Sequence, residues 1–307
     1  MAPVTVPPLV LAIFGPTGSG KTAVAEALAD RIPAELVSAD AMQVYEGIPI
    51  LTNQPDRPTR LVGIWPLGYE ASVGEYQALA HEAVDDILAA GRTPIVAGGT
   101  GLYFRAALAD LALPPAPPPG SRARFERLYE RLGPEQAYKL LTDRDPTTAA
   151  RLHANDRRRV VRALELHEAG ESLAPERDRL WADEMRHPTI VFGLDVPRDV
   201  LAARIADRTR SMFERGAEEE ARRALAGPLS ETARQVMGLL EAAELPRDDA
   251  IAALEQRTRR YAAYQRKWMR RIPGIVSLPA DRPAGDLADE ILEVARSRER
   301  LPARRAG

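Results

Sequence analysis

The chain has 307 residues, of which 45% are hydrophobic, and a formal net charge of −2. This length allows one large domain or two smaller ones with a sizeable core, and the charge excludes a chain that is cationic throughout. The sequence has no cysteine, which excludes disulfide bonds, thiolate metal ligands and thiol nucleophiles. It has no apolar run of membrane-spanning length and no N-terminal signal-peptide pattern, so we expect a cytoplasmic protein without membrane contact.

The first predicted strand, residues 9–14, runs directly into a glycine-rich loop. The loop consists of Gly15, Pro16, Thr17, Gly18, Ser19, Gly20, Lys21 and Thr22. It fits the phosphate-loop pattern G-x-x-x-x-G-K-[ST], and a predicted helix over 23–31 supplies the context that this motif requires. Backbone N–H groups and the helix N-terminus would bind phosphate, Lys21 would reach the outer phosphate, and the Thr22 hydroxyl would hold Mg²⁺. The motif does not say which phosphorylated ligand binds.

A second predicted strand covers residues 36–40 and ends in Asp40, at the edge where open α/β sheets bind ligands. Asp after a strand is also a common turn or capping residue, so both roles stay open. Residues 43–68 contain four prolines and are predicted to be irregular. A helix, a strand and a helix are then predicted over 73–90, 93–97 and 102–109. The glycines at 98–101 either let a ligand approach the backbone or simply make a tight turn.

The proline-rich segment 113–120 marks a boundary, because such a cluster is stiff and extended. Residues 121–184 then show helical periodicity and many arginines, which predicts a helical insertion. One of its helices has an apolar face, formed by Val160, Val161 and Leu164, and a cationic face, formed by Arg158, Arg159 and Arg162. The cationic face indicates a polyanionic partner or a solvated surface paired with Glu165 and Glu168.

The sheet pattern resumes with a strand over 189–196 and a helix over 197–215. On that helix Arg204 and Arg208 are one turn apart. Their spacing fits either a phosphate clamp or surface ion pairs. The remaining predicted elements are helices over 218–226, 233–243 and 248–271, a strand over 275–278 and a helix over 287–296.

Tyr261, Tyr264 and Trp268 alternate with cations near the end of the 248–271 helix. This pattern is typical of surfaces that stack on nucleobases. The same spacing of three and four also describes a buried stripe, which we favour for Trp268.

Alternating strands and helices predict an α/β fold, in which a parallel sheet like that of P-loop NTPases is flanked by helices and interrupted by the helical insertion. We expect residues 1–112 to form the first part of the P-loop core, 113–187 the insertion and 188–307 the second part of the core.

The chain resembles the bacterial tRNA dimethylallyltransferases, also called tRNA isopentenyltransferases, over nearly its whole length. The resemblance rests on five segments: GPTGSGKT at 15–22, SADAMQVYEGI at 38–48, PIVAGGTGLYFRAAL at 94–108, LHANDRRRVVRALELHEAG at 152–170 and TRRYAAYQRKW at 258–268. The second and fourth segments are much more specific than the phosphate loop.

This resemblance implies an enzyme that transfers a dimethylallyl group from dimethylallyl diphosphate to N6 of an adenine in the tRNA anticodon loop, with Mg²⁺ as cofactor. Residues 15–22 would bind the diphosphate, with Thr22 on the metal. Asp40 would remove the N6 proton, while Thr100 and Arg208 complete the catalytic set. The residues implied in tRNA contact are Asp40, Ala41, Met42, Gln43, Thr100, Arg122, Arg158, Arg159, Val160, Val161 and Arg162. The insertion would bind the anticodon stem-loop, and we expect a monomer.

Four blocks depart from the family pattern, and the departures remove positive charge near the expected tRNA. Residues 60–65 replace the HHL-D block, 51–55 lack the lysine of GTAKP, and 238–241 read GLLE in place of GYKE. Ala263 and Tyr264 stand where KRQ-x-x-W has two cations. Two other function classes share the phosphate loop: a small-molecule or nucleotide kinase that consumes ATP, and a non-catalytic RNA-binding protein.

Overall fold

The computed structural model describes residues 9–114, 120–173 and 179–299. It divides into two compact units, of which one contains the residues up to Asp110 and from Trp181 onward and the other spans Leu111–Leu180. Most of the predicted proline boundary, residues 115–119, lies outside the described residues. None of the described helices is long and apolar enough to cross a membrane.

Six strands form one sheet in the first unit. They are β1 Val10–Phe14, β2 Ala34–Ser38, β3 Thr59–Arg60, β4 Thr93–Gly98, β5 Thr189–Asp195 and β6 Val276–Pro279. Their order is β3-β2-β4-β1-β5-β6, and every pairing is parallel. The sheet confirms the predicted α/β fold with a parallel P-loop-like core.

Twelve α-helices lie within the described residues. They are α1 Lys21–Ala29, α2 Pro49–Thr52, α3 Val73–Ala89, α4 Gly101–Leu108, α5 Ser121–Arg144, α6 Pro146–Ala149, α7 Arg157–Glu168, α8 Arg198–Glu214, α9 Ala217–Leu225, α10 Leu239–Glu244, α11 Arg247–Met269 and α12 Ala284–Glu299. Short 3₁₀ helices cover Arg179–Trp181 and Ala233–Gln235.

The central strand β1 is buried along its whole length, because helices cover both faces of the sheet. Leu11 and Ile13 belong to a core cluster shared with α1, α8 and α12. Phe14, on the other face, packs edge-on against Phe104 of α4 with ring centroids 5.1 Å apart. This packing fixes the carboxyl end of β1, from which the phosphate loop leaves.

Residues 43–68 are more ordered than the sequence predicts. The two residues of β3 pair with Leu36 and Val37 of β2. Glu220 of α9, which is 1% exposed, accepts hydrogen bonds from the N–H groups of Ile50 (2.9 Å) and Leu51 (2.7 Å) at the start of α2. The prediction of an irregular segment was wrong here because the partners that order it lie far away in sequence.

The predicted helix over 233–243 was also wrong, since the structure has a 3₁₀ helix followed by α10. Gly238 separates them with a φ of 88°, which a continuous right-handed helix does not allow.

The second unit is helical and consists of α5, α6 and α7, with α5 interrupted at Gly133. Its core is formed by apolar side chains of these helices, among them Phe125, Tyr129, Leu141, Val160, Val161 and Leu164. Residues 181–187, which the sequence assigned to the insertion, belong to the sheet-containing unit. They are held there by a tilted ring contact between Trp181 and Trp268, with centroids 4.7 Å apart, and by a 2.7 Å hydrogen bond from Arg105 to the Ala182 carbonyl.

Candidate active site

A cavity of about 770 Å³ opens at the carboxyl ends of β1, β2 and β4. Its walls include the phosphate loop, the segment after β2, the turn after β4, and side chains of α8 and α11. The lining residues are Thr17, Gly18, Gly20, Lys21, Thr22, Ala23, Asp40, Ala41, Met42, Gln43, Leu51, Thr52, Asn53, Ala97, Gly98, Thr100, Arg204, Arg208, Gln235, Met237, Arg257, Arg260, Tyr261 and Gln265. The cavity therefore brings together Lys21, Thr22, Asp40, Ala41, Met42, Gln43, Thr100 and Arg208, which the sequence singled out in separate segments.

Lys21 is the first residue of α1, and its ammonium group donates a 2.9 Å hydrogen bond to the Pro16 carbonyl within the loop. Burial lowers the pKa of Lys21 to about 8, Asp40 opposes this shift, and Arg208 adds to it. Lys21 is thus a cation with an incomplete hydration shell beside the loop. A bound anion would stabilise the charged form of such a group.

Arg208 of α8 also lines the cavity. Burial lowers the pKa of its guanidinium, and the charge of Asp40 raises it. The Arg208 Nε atom is buried without a hydrogen-bond partner among the described residues. A buried donor in a cavity wall favours a ligand with acceptor oxygens. Arg204, one turn earlier, donates to the Ala280 carbonyl at 3.1 Å rather than forming a surface ion pair.

Asp40 lies two residues beyond the end of β2, so the predicted strand is shorter than expected. Its Oδ1 accepts a 2.9 Å hydrogen bond from the Met42 N–H, as in an Asx turn. The carboxylate nevertheless lines the cavity and acts electrostatically on Lys21, Arg208 and Tyr261. The turn role and the cavity position that the sequence left open as alternatives occur together.

Gln43 fixes the wall next to Asp40. Its amide nitrogen donates to the carbonyls of Thr52 (3.3 Å) and Asn53 (2.9 Å), and its oxygen accepts from the Ser38 hydroxyl at 2.7 Å. Gln43 therefore joins the end of β2 to Thr52 and Asn53, which line the cavity.

Helix α11 packs directly on the turn after β4. A Cβ atom at Gly99 would lie 2.3 Å from the Gln265 amide nitrogen, and one at Gly101 would lie 2.0 Å from the Trp268 ring, so both positions require glycine. Between them, Thr100 Oγ1 lies 3.4 Å from the Tyr261 hydroxyl and 3.3 Å from the Ala41 N–H, from which it accepts. Gly99 and Gly101 therefore serve close packing of helix α11, which neither alternative of the sequence analysis describes, whereas Gly98 lines the cavity.

Gln265 connects the phosphate loop to the turn after β4, a role that the sequence analysis missed. It is 2% exposed. Its oxygen accepts from the Thr17 N–H of the phosphate loop at 2.7 Å, and its nitrogen donates to the Gly99 carbonyl at 2.9 Å. The signal was present, because Gln265 continues the buried stripe of Leu254, Thr258 and Ala262, and a polar residue in such a stripe needs hydrogen-bond partners.

We expect Gln265→Met to destabilise the protein by about 2–4 kcal/mol, because it leaves the buried Gly99 carbonyl and the partly buried Thr17 N–H unpaired. The phosphate loop and the Thr100 turn would also lose their common support. Urea unfolding measures the first effect. Gln256→Met, on an exposed position of the same helix, is the matched control, and equal unfolding midpoints for the two variants would contradict this role.

The aromatic residues of α11 do not form a buried stripe, which the sequence analysis favoured only for Trp268. Tyr264 is 51% exposed, and Trp268 is half-buried against Trp181. Tyr261 lines the cavity, and burial raises the pKa of its hydroxyl to about 12, so it is protonated at neutral pH. The core-facing stripe is displaced by one position and ends in Gln265 and Met269.

In the second unit, the predicted cationic face divides into paired and unpaired arginines. The buried Glu165 carboxylate pairs with Arg122 at 3.3 Å and with Arg162 at 3.2 Å. This pairing agrees in part with the alternative that the arginines form ion pairs with Glu165 and Glu168. Arg159 pairs with Asp156 at 3.6 Å. Arg158 is exposed and has no ion-pair partner within the described ranges. Val160 and Val161 are 0% and 3% exposed, so their side chains lie in the core of this unit, and their contact with tRNA stays a prediction.

The residues around the loop fit a Mg²⁺ ion that arrives with a phosphate ligand. Mg²⁺ prefers oxygen donors and is commonly held by one or two protein groups together with substrate phosphates. Thr22 places a hydroxyl-bearing side chain in the cavity wall. The described part of the chain has no group of three or more His, Asp or Glu side chains that could hold a metal without such a ligand.

Comparisons with known proteins agree with this geometry. The family model described as IPP transferase matches residues 43–272, and the model described as isopentenyl transferase matches residues 8–59. The tRNA dimethylallyltransferase of Myxococcus xanthus is 40% identical over 284 residues, which cover 88% of this chain and 92% of the relative. The corresponding enzyme of Streptomyces coelicolor is 38% identical over 87% of this chain and 89% of its own length.

Solved structures give the same result. A tRNA isopentenylpyrophosphate transferase from Staphylococcus epidermidis has a TM-score of 0.68 at 27% identity, covering 95% of this chain and 99% of that chain. A eukaryotic dimethylallyltransferase described as acting on tRNA has a TM-score of 0.77 at 26% identity, covering 98% of this chain and 82% of that chain. The chain therefore belongs to the IPP transferase family, as do these tRNA dimethylallyltransferases.

Proposed function

We propose that this protein is a tRNA dimethylallyltransferase, which transfers a dimethylallyl group from dimethylallyl diphosphate to N6 of an adenine in the tRNA anticodon loop. Family membership supports the reaction class. The observation that carries the proposal is the single cavity in which Lys21 and Arg208 provide positive charge and Asp40 provides a carboxylate.

The cationic side of the cavity stabilises the leaving group. As the bond between the allylic carbon and its oxygen breaks, negative charge grows on the diphosphate. Loop N–H groups, the Lys21 ammonium and the Arg208 guanidinium can bind that charge without reorganising. Mg²⁺, held by the Thr22 hydroxyl and the diphosphate oxygens, would neutralise part of the same charge.

The Asp40 side serves the acceptor. The N6 amine is a weak nucleophile because its lone pair is delocalised into the purine ring. A carboxylate that removes the N6 proton as the nitrogen–carbon bond forms lowers this barrier. To reach Asp40 the adenine must leave its stack in the anticodon loop. The Ala41–Gln43 backbone and Thr100 then border the space beside the everted base.

The helical unit is proposed to bind the anticodon stem-loop through its exposed arginines, by phosphate contacts and shape. We expect Arg158→Gln to weaken tRNA binding and to reduce the slope of log Kd against log salt by about 1, since one phosphate contact is lost. Arg198→Gln, an exposed arginine of the sheet-containing unit, is the control. A slope that Arg158→Gln leaves unchanged would remove this residue from the interface.

The low pKa of Lys21 predicts a pH dependence of diphosphate binding. The ammonium form binds the anion, so affinity should be full below about pH 8 and should fall by up to about tenfold at about pH 9. Bound diphosphate raises the pKa of Lys21, so binding near pH 8 takes up a fraction of a proton. Calorimetry in buffers of different ionisation enthalpy measures this uptake. Binding without proton uptake near pH 8 would contradict the assignment of Lys21.

The proposal is tested with purified protein, unmodified tRNA, Mg²⁺ and dimethylallyl diphosphate, in the absence of ATP. We expect a prenylated adenosine in the tRNA and one released diphosphate for each transfer. Consumption of ATP with phosphorylation of a small acceptor would instead establish the kinase. Binding of tRNA without turnover would favour a non-catalytic RNA-binding protein.

A further inference from the structure

Helix α11 carries an exposed aromatic ring at the edge of the proposed reaction cavity. Tyr264 is 51% exposed, the highest value for a large hydrophobic side chain among the described residues. Exposure of one apolar side chain is common in soluble proteins. The surroundings of Tyr264 distinguish it from such isolated cases.

Tyr264 lies next to a residue of the cavity wall. Its ring centroid lies 6.4 Å from that of Tyr261, which lines the cavity, and the two ring planes differ by only 27°. The two rings therefore turn their faces in nearly the same direction. We call this pair the aromatic ledge.

The ledge is held rigidly from one side. The Trp268 ring meets Tyr264 edge-on, with centroids 6.4 Å apart and planes at 69°, and Trp268 itself packs on Trp181 at 4.7 Å. Trp268 also packs on Gly101, where a Cβ would lie 2.0 Å from its ring. An exposed ring with such support loses little conformational entropy when a ligand stacks on it.

A cation accompanies the ledge. Arg260 stands one helical turn before Tyr264, is exposed and lines the cavity. No ion-pair partner for Arg260 is present in the described part of the chain. An aromatic face beside a guanidinium that is not held in an ion pair is typical of sites that bind single-stranded nucleic acid. In such sites the ring stacks on a base and the cation contacts the backbone.

We propose that Tyr264 is a stacking platform for the unpaired base adjacent to the target adenine in the anticodon loop. This inference rests on the proposed function, which brings an everted adenine into the cavity. The neighbouring nucleotide must then lie at the cavity edge, where the ledge continues. A flat base matches the area of one tyrosine face, whereas a protein partner would need a larger apolar patch.

The test compares variants in binding to an anticodon stem-loop RNA. We expect Tyr264→Ala and Tyr264→Leu to weaken the Kd roughly 5- to 150-fold, the range for loss of one stacked base. Tyr264→Phe should bind like wild type because it keeps the ring. The salt dependence should not change, since no charge is removed. Tyr69→Ala removes another exposed tyrosine that stacks on a tryptophan, and it is the matched control.

Abasic nucleotides identify the stacked base. Placed on one side of the target adenine, an abasic site should weaken wild-type binding as much as Tyr264→Ala does, and the two changes together should cost no more than either alone. The platform would be overturned if abasic sites on both sides of the target adenine weakened binding additively with Tyr264→Ala. It would also be overturned if the Tyr264→Ala variant bound RNA like wild type. A wild-type self-association that Tyr264→Ala abolishes without affecting RNA binding would overturn it as well. Prenyl transfer by the wild-type enzyme is measured on the same RNA, so failure of this inference is distinguishable from failure of the proposed function.

Discussion

Asp40→Asn is expected to reduce the rate of prenyl transfer roughly 10²- to 10⁴-fold, the usual contribution of a general base. The change conserves shape, and an asparagine oxygen can still accept the Met42 N–H that Asp40 Oδ1 accepts at 2.9 Å. The variant loses the capacity to take a proton, together with the negative charge that acts on Lys21 and Arg208. Single-turnover measurements at saturating tRNA report the chemical step directly.

The same variant should bind tRNA with nearly unchanged Kd, since the turn after β2 is kept. Asp56→Asn, at an exposed position in the loop after α2, is the control and should transfer normally. If Asp40→Asn lost affinity and turnover to the same degree, Asp40 would be a binding or structural residue rather than the base.

Lys21→Met has the second large expected effect. Removing the ammonium deprives the leaving group of a positive charge, and we expect kcat/KM for dimethylallyl diphosphate to fall roughly 10²- to 10³-fold. The Kd for tRNA should stay within about twofold, because the proposed role of Lys21 is confined to the diphosphate. Steady-state kinetics with varied dimethylallyl diphosphate and a separate tRNA titration measure the two quantities.

The chain offers a matched control for this change, because it has only three lysines, Lys21, Lys139 and Lys267. Lys267 is exposed near the end of α11, and Lys267→Met should leave the KM for dimethylallyl diphosphate unchanged. A Lys21→Met enzyme with normal kcat/KM would exclude this lysine from the diphosphate site.

The local features of the site could be predicted from the sequence. The phosphate loop is read from contiguous residues, and an apolar run before it and a helix after it are local patterns. The parallel sheet follows from the alternation of strands and helices. Asp40 and Thr100 are each placed after a strand, and parallel strands bring their carboxyl ends to one edge.

The remaining features depend on contacts between distant segments, which local patterns do not contain. Glu220 orders the start of α2 across 170 residues of sequence, and Gln265 connects to Thr17 across 248. Glu165 pairs with both Arg122 and Arg162, which divides a face that the sequence shows as uniformly cationic. Tyr264 and Gln265 are neighbours in sequence, yet one is exposed and the other is buried, because packing on the turn after β4 sets the orientation of α11.

The most direct measurement of the account is a crystal structure of the protein with an anticodon stem-loop RNA and a non-reactive thio analogue of dimethylallyl diphosphate. We expect the diphosphate on residues 15–22 within contact of Lys21, and the everted adenine with N6 within hydrogen-bond distance of the Asp40 carboxylate. An adenine that stays stacked in the RNA loop, or an analogue bound away from Lys21, would contradict it.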